Sequence, residues 1–391
     1  MITLLTLLAS LVATADEAKL PYPIVDTNQS GYYGLRGGTL ATPQENDPMR
    51  LQDAGHTRNA PSYRDNGDGT ISDLVTGLSW QKSPDRGAKQ TYADAQSGAA
   101  ACRTGGFADW RLPTIKELYS LVDFSGGMAL SPRKPYLDTR VFEFKYGDES
   151  KGERAIDSQW WSATEYVGTT MRGDATVFGV NFADGRIKGY PRDRGPRGVA
   201  KQWVRYVRGN PRYGVNDLHD LGNGTIEDRA TGLVWTKSDA GKLMDWPSAL
   251  AHAESAEIGG HSDWRLPNAK ELQSIVDYTR SPALTNERKG AAIDPVFAVS
   301  DPETYYWTST THLDDRGHDG PGGAAVYVCF GRAMGWMGAR GQRGDKKLID
   351  AHGAGAQRSD PKTGDPSRFP KGRGPQGDDV RILNGVRLVR G

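Results

Sequence analysis

The sequence predicts an α+β protein made of two copies of one domain, each with two helices and short, mainly antiparallel strands joined by long loops. Three observations predict it. Residues 65–82 (DNGDGTISDLVTGLSWQK) return as residues 220–237 (DLGNGTIEDRATGLVWTK). A second block, Asp109-Trp110-Arg111-Leu112-Pro113-Thr114 leading into Lys116-Glu117-Leu118, returns as Asp263-Trp264-Arg265-Leu266-Pro267-Asn268 leading into Lys270-Glu271-Leu272. The offsets, 155 residues from Gly69 to Gly224 and 154 from Trp110 to Trp264, are those of a domain and far exceed a solenoid repeat. Third, 49 glycines and 10 tryptophans in 391 residues describe many turns around modest cores in which tryptophan supplies the buried area.

The repeat divides the chain. Residues 1–15 read as a secretion signal, with an apolar run from Leu4 to Val12 and a small-residue cleavage site at Ala13-Thr14-Ala15. The protein is therefore expected to be exported, whether periplasmic, secreted or held at the cell surface. No other run approaches the roughly 20 apolar residues of a membrane span, so none is expected after signal cleavage. Residues 16–60 form a polar N-terminal extension without clear period, mostly loop. Copy one runs over 61–209 and copy two over 214–391, joined by a turn at Gly209-Asn210-Pro211. Copy two carries a long loop insertion at about 338–380. A net charge of +1 gives no global attraction to nucleic acid, which is not expected as a partner. Cys102 and Cys329 fall at non-equivalent places in the copies and read as two small buried residues, not as a disulfide framework.

Within each copy the elements follow in order. Asn66-Gly67-Asp68-Gly69 and Gly222-Asn223-Gly224 are turns, because glycine and asparagine tolerate positive φ. Strands follow at Thr70-Ile71 and Thr225-Ile226, then at Leu78-Ser79-Trp80 and Leu233-Val234-Trp235, where alternation puts leucine and tryptophan on one face. The acidic turn 65–69 is no EF-hand. With Gly69 as the invariant glycine, Arg64 and Val75 stand where carboxylates are needed. A first helix is predicted from the helical spacing of Tyr92, Ala95, Ala99 and Cys102, and of Trp246, Ala249, Leu250 and Ala253. A second begins after each Leu-Pro, where Thr114 with Glu117 and Asn268 with Glu271 are N-caps with an acid three residues on. Leu118, Leu121 and Val122, with Leu272, Ile275 and Val276, give its buried face. Short strands fill the rest: 159–164 and 305–310 carry Trp161 and Trp307, 177–182 matches 325–330, and each copy closes on Val-Arg-x-Val-Arg at 204–208 and 386–390.

The Gly-Thr-Ile-x-Asp and Thr-Gly-Leu-x-Trp blocks, the Arg-Leu-Pro-Thr segment with Glu117, the Trp-Ser/Thr strand and the closing Val-Arg-x-Val-Arg strand, in that order and twice over, resemble the DUF1566 family, the domain at the C-terminus of Legionella collagen-like adhesins. Arg111-Leu112-Pro113-Thr114 with Glu117 is also similar to a segment of formylglycine-generating-enzyme-like proteins. That resemblance implies two tandem C-type-lectin-like domains with a variable binding face of loops. It implies an exported, adhesin-like binding module more than an enzyme. Formylglycine-type chemistry would use a pair of cysteines, and neither copy holds two.

Weighing the residues themselves gives three groups. Trp80, Trp110, Arg111, Glu117 and Trp161, with Trp235, Trp264, Arg265, Glu271 and Trp307, recur in both copies and read as structural. The arginines are expected to be buried against a carboxylate such as Asp73/Asp228 or Glu117/Glu271. Arg186, Lys188, Arg192, Arg194 and Arg197 crowd one loop of copy one, and Arg340, Arg343, Lys346 and Lys347 lie in the copy-two insertion. Local basic runs in a near-neutral chain suit an acidic polysaccharide or another envelope or cell-surface component, a protein among them. Finally His312, Asp314, Asp315 and His318, with Asp319, are the one dense ligand cluster. They are the sole candidates for a bound calcium or transition metal in a chain otherwise expected to carry no cofactor. The readings kept beside the binding module are a formylglycine-generating-enzyme-like or metal-dependent enzyme and a structural envelope protein.

Overall fold

The computed structural model of the chain describes residues 20–171, 173–195, 198–314, 316–338, 346–374 and 377–391. The expected signal at 1–15, and the candidate residues Arg197, Asp315, Arg340 and Arg343, lie outside them.

Each copy opens on a four-stranded antiparallel sheet. In copy one Tyr63–Asp65, Thr70–Asp73 and Leu78–Gln81 lie in order, and Val207–Gly209 returns to pair with Leu78–Gln81. Copy two repeats this with Leu218–Asp220, Thr225–Asp228, Leu233–Thr236 and Val389–Arg390. The first hairpin turns on glycines at positive φ, 77° and 87° at Gly67 and Gly69, 74° and 87° at Gly222 and Gly224. Alternation buries Leu78 and Trp80 in one copy, Leu233 and Trp235 in the other.

Each helix starts at a side-chain cap, and for the second helices these are the caps read from the sequence. Tyr92–Ala101 follows Thr91, whose hydroxyl accepts from Asp94, and Trp246–Glu254 follows Asp245, whose carboxylate accepts from Ser248. The second helices, Ile115–Ser120 and Ala269–Ser274, both open in full capping boxes. They last six residues, so Leu121, Val122, Ile275 and Val276 are buried just past the helix ends instead of on a helical face.

The two copies share a sheet. Gln159–Glu165, Thr176–Asn181 and Arg186–Pro191 form an antiparallel meander, and so do Tyr305–His312, Ala324–Cys329 and Gln357–Pro361. The third strands of the two meanders meet edge to edge at Ile187 and Gln357, giving one six-stranded sheet. A sheet edge that would otherwise expose unpaired backbone is closed by its own duplicate. Two expectations are corrected here. Residues 186–191 were expected as loop because of their charge, yet they are a mostly buried strand. The strand Gln357–Pro361 lies inside the stretch expected as insertion, because it corresponds to Arg186–Pro191. Extra chain of copy two precedes it and includes the hairpin Met334–Met337/Lys347–Asp350.

The N-terminal extension is built into copy two. Its short pair Tyr32–Tyr33 and Thr39–Leu40 is followed by two single 3-10 turns, Pro48–Leu51 and Asp53–Gly55. Gln29 exchanges hydrogen bonds with the Thr311 backbone (2.8 Å each), and Lys362 donates to the Tyr33 carbonyl (3.0 Å). The main apolar core runs without a break through both copies, with a second, smaller one under the first helix of copy one.

Candidate functional site

The repeated Trp-Arg-Leu-Pro block anchors each helix to the closing strand. Arg111 makes a two-armed ion pair with Glu117 (2.6 and 2.5 Å), and Arg265 makes the same pair with Glu271 (2.7 Å on each arm). Glu117 and Glu271 also accept from the N-cap backbone, so one carboxylate caps the helix and neutralises the arginine. Trp110 and Trp264 are buried, each donating its indole N–H to a backbone carbonyl. Trp161 and Trp307 do likewise toward Gln90 and Met244. The copies differ in exposure: the side chain of Arg111 is 36% exposed and that of Arg265 is 8%.

That difference marks a cleft of about 660 Å³ at the seam, lined by Arg111, Thr164, Lys116, Tyr213, Val276 and Asp277 among others. Lys116 donates to the carbonyls of Gly214 and Ser274 and to the Asn216 side chain. Its counterpart Lys270 donates to the carbonyls of Asp26 and Ser120. Burial brings both amines down to about 8, against the partial support of neighbouring carboxylates. The counterpart of the cleft is a remnant of about 30 Å³ lined by Tyr63, Val122 and Asp123, with Asn28 of the extension beside them. Asp53 of the extension sits at that end, accepting from the hydroxyls of Thr310 (2.5 Å) and Thr27 (2.7 Å), and burial raises its carboxyl to about 7. Sequence reading missed Asp53, Thr164 and both seam lysines. The lysines carried a signal, since Lys116 and Lys270 recur, but nothing in the sequence said that they cross between copies.

The basic residues separate into buried and exposed sets. Arg186 and Lys188 are not surface ligands. Lys188 is buried on Asp184 (2.9 Å), and Arg186 bridges Asp184 (3.4 Å) and Asp314 of copy two (2.9 Å). Burial alone would raise the Asp184 carboxyl, but Lys188 and Arg186 hold it below its usual range. The reason for the correction is the sheet joint: a charge run at a domain edge becomes an interior network when the edge is covered. Arg192 is half-buried and faces Glu165 and Asp193, while Arg194 is exposed. Lys346 and Lys347 are exposed at the start of the hairpin strand Lys347–Asp350, and Lys346 reaches the carbonyl of exposed Lys371 (3.4 Å). Among the described residues, Asp378 is engaged by His352 and Arg358, and Asp379 by Arg381.

The metal candidates do not converge. His312 is buried, its Nε2 2.9 Å from the Asp184 carbonyl and its ring stacked on Tyr136, with the Arg186 guanidinium beside Nδ1. Burial and that guanidinium hold its imidazole well below the usual range, and a cation on one ring nitrogen disfavours another. Asp314 is occupied by Arg186, Tyr136 and the Met128 amide. His318 is exposed and pairs with Asp319. Among the described residues no three His, Cys, Asp or Glu side chains are grouped to hold a metal.

Cys102 and Cys329 are both free and buried, and burial pushes the Cys329 thiol well above its usual range, away from a reactive thiolate. No described helix is long and apolar enough to cross a membrane. No curated protein and no solved structure matches the chain. The profile of one family does, twice, over residues 69–208 and 224–344, ranges that take in both Arg-Glu pairs. The chain belongs to the Lcl C-terminal domain family and carries that domain in two tandem copies.

Proposed function

We propose that this chain is an exported, adhesin-like binding protein without catalytic activity, which takes an acidic glycan of an envelope or cell surface on the cationic hairpin of copy two. The observation that carries the reading is the pair of exposed lysines, Lys346 and Lys347, at the start of the hairpin strand Lys347–Asp350. Lys346 lies against the Lys371 backbone (3.4 Å), while Asp378 is held by His352 and Arg358 and Asp379 by Arg381. Lys346 and Lys347 make no ion pair among the described residues, and exposed ammonium groups of this kind suit the sulfates or carboxylates of a flexible polysaccharide. Arg194 and the half-buried Arg192 supply a second, weaker patch at the end of strand Arg186–Pro191. The return of each closing strand onto the opening sheet supports a C-type-lectin-like reading of each copy. The membership in the Lcl C-terminal domain family supports export and adhesion.

The test is binding of the purified chain to neutral and sulfated glycans at low and high salt. Salt-sensitive binding to the sulfated set alone, reduced at least tenfold in Lys346→Glu/Lys347→Glu, is the expected result. Equal binding by the variant removes the hairpin as the site, and no binding to any glycan removes the ligand class.

A further inference from the structure

The seam of the molecule has a two-fold plan that is completed on one side only. Val122 and Asp123 beside the small remnant correspond to Val276 and Asp277 beside the large cleft, and Tyr63 corresponds to Leu218. On the copy-two side the N-terminal extension occupies the space. Its Asp26 carbonyl receives Lys270, and its Asp53 carboxylate receives the Thr310 hydroxyl. On the copy-one side the linker supplies the first of these groups, since the Gly214 carbonyl receives Lys116 at 3.1 Å. None of the described residues supplies the second. Thr164, the counterpart of Thr310, accepts from the Ile115 amide (3.0 Å) just as Thr310 accepts from Ala269 (2.9 Å). The Thr310 proton goes to Asp53, whereas the Thr164 hydroxyl has no acceptor among the described residues. Arg111, next to it, keeps the exposure that Arg265 loses beneath the extension.

We propose that the copy-one cleft binds a polypeptide segment of a partner protein that presents an aspartate in a tight turn, its carboxylate on the Thr164 hydroxyl beside the Arg111–Glu117 pair. The occupant of the matching position defines the chemistry. It is a short 3-10 turn, Asp53–Gly55, entered from Gln52, with one acid buried against a threonine hydroxyl. The cleft is lined by apolar side chains, Ile115, Val276 and Val296, that a peptide turn covers and a strongly hydrated sugar acid does not. Asp277 and Asp294 on the opposite wall are no obstacle, because Asp123 and Asp138 line the corresponding remnant beside the extension. This site is separate from the hairpin of copy two, so each can fail alone.

The probe is a fluorescein-labelled peptide with the sequence of residues 47–57 of this chain, DPMRLQDAGHT, titrated with the full chain and read by anisotropy. The expected result is saturable binding that weakens at least tenfold when the peptide's second aspartate, the one corresponding to Asp53, is changed to alanine, which removes the acceptor. It weakens equally in Thr164→Val and returns in Thr164→Ser. Val215→Trp, at an exposed rim position, closes the mouth of the cleft without disturbing the core and also abolishes binding. None of these variants changes binding of sulfated glycan at Lys346 and Lys347. The proposal is overturned if the peptide does not bind at millimolar concentration. It is equally overturned if binding survives both Thr164→Val and Val215→Trp, which would mean that the peptide displaces the chain's own extension, or if free glucuronate competes as well as the peptide does.

Discussion

Lys116 sends its ammonium group across the seam to the carbonyl of Ser274, at 2.6 Å. The relationship is reciprocal, since Lys270 donates to the carbonyl of Ser120 at 2.8 Å, and Ser120 and Ser274 are themselves equivalent positions of the repeat. Each copy thus caps the end of the other's second helix with the same lysine. This is the isologous contact of a two-fold dimer, made inside one chain. It explains why the core is continuous and why neither copy ends in a closed edge by itself.

The seam lysines give stability a measurable pH dependence. Both amines are brought down to about 8 by burial, below the value near 10.4 of an unfolded lysine. Between these values the unfolded chain binds more protons than the folded one, so the penalty for burying the charge is complete below pH 8 and is relieved as pH rises toward 10. Each lysine contributes a slope of at most about 1.4 kcal/mol per pH unit. Denaturant unfolding should show stability increasing from pH 8 to pH 9.5, and Lys116→Met/Lys270→Met should flatten that rise. An unchanged slope in the double variant would place the amines in water.

The two Arg-Glu pairs are chemically identical and differently exposed, which allows a matched comparison. Glu271→Ala leaves Arg265 charged and buried without a counterion, a loss of roughly 3–5 kcal/mol. Glu117→Ala leaves Arg111 facing the open cleft, where water can solvate it, and should cost less, about 1–3 kcal/mol. Equal losses, measured by denaturant titration, would mean that the cleft excludes water.

Asp53 offers a test of the extension as part of the fold. Burial raises its carboxyl to about 7, so the folded state holds a proton that the unfolded chain gives up near pH 4. Its contribution is intact below pH 4, declines as pH rises, and is fully unfavourable above pH 7. An asparagine carbonyl can accept from both Thr27 and Thr310 without the charge. Asp53→Asn should therefore match the parent near pH 4 and exceed it in stability at pH 8. If the variant is no more stable at pH 8, the extension does not bury this acid.

Much of each copy was legible in the sequence because its determinants are local. Thr114 with Glu117 and Asn268 with Glu271 announce capping boxes over four residues, and Gly67, Gly69, Gly222 and Gly224 announce the turns. The tryptophans declared themselves by recurrence. What was not legible depends on how the copies meet. Arg186 and Lys188 read as a solvated run because nothing local reveals that Asp314, 128 residues away, closes over them. Gln357–Pro361 does not read as a strand, since Gln-Arg-Ser-Asp-Pro has no apolar alternation. It is a strand because Ala324–Cys329 and the edge of copy one flank it on both sides. Arg205 and Arg387 were read as ordinary strand residues, yet both are fully buried, donating to backbone carbonyls and lying against aromatic rings. Recurrence located these residues but could not tell buried from exposed.

The edge-to-edge joint can be tested at Gly189, whose amide donates to the His352 carbonyl at 2.9 Å. A Cβ there would stand 2.5 Å from that carbonyl oxygen and 2.6 Å from the methyl of buried Thr176, and the first of these is a contact with strand-joining backbone that cannot swing aside. Gly189→Val should therefore cost at least the 1–3 kcal/mol typical of overpacking, and should do so by parting the two meanders. Gly67→Ala is the control. A Cβ at Gly67 meets nothing within 4 Å, so only the positive φ of 77° opposes it, at a cost of roughly 1–2 kcal/mol. Thermal unfolding of the parent should be one transition, because the main core runs through both copies. Gly189→Val should lower its midpoint and split it into two, whereas Gly67→Ala should shift one transition without splitting it. A single, equally shifted transition in both variants would mean that the six-stranded sheet is not closed at Ile187 and Gln357.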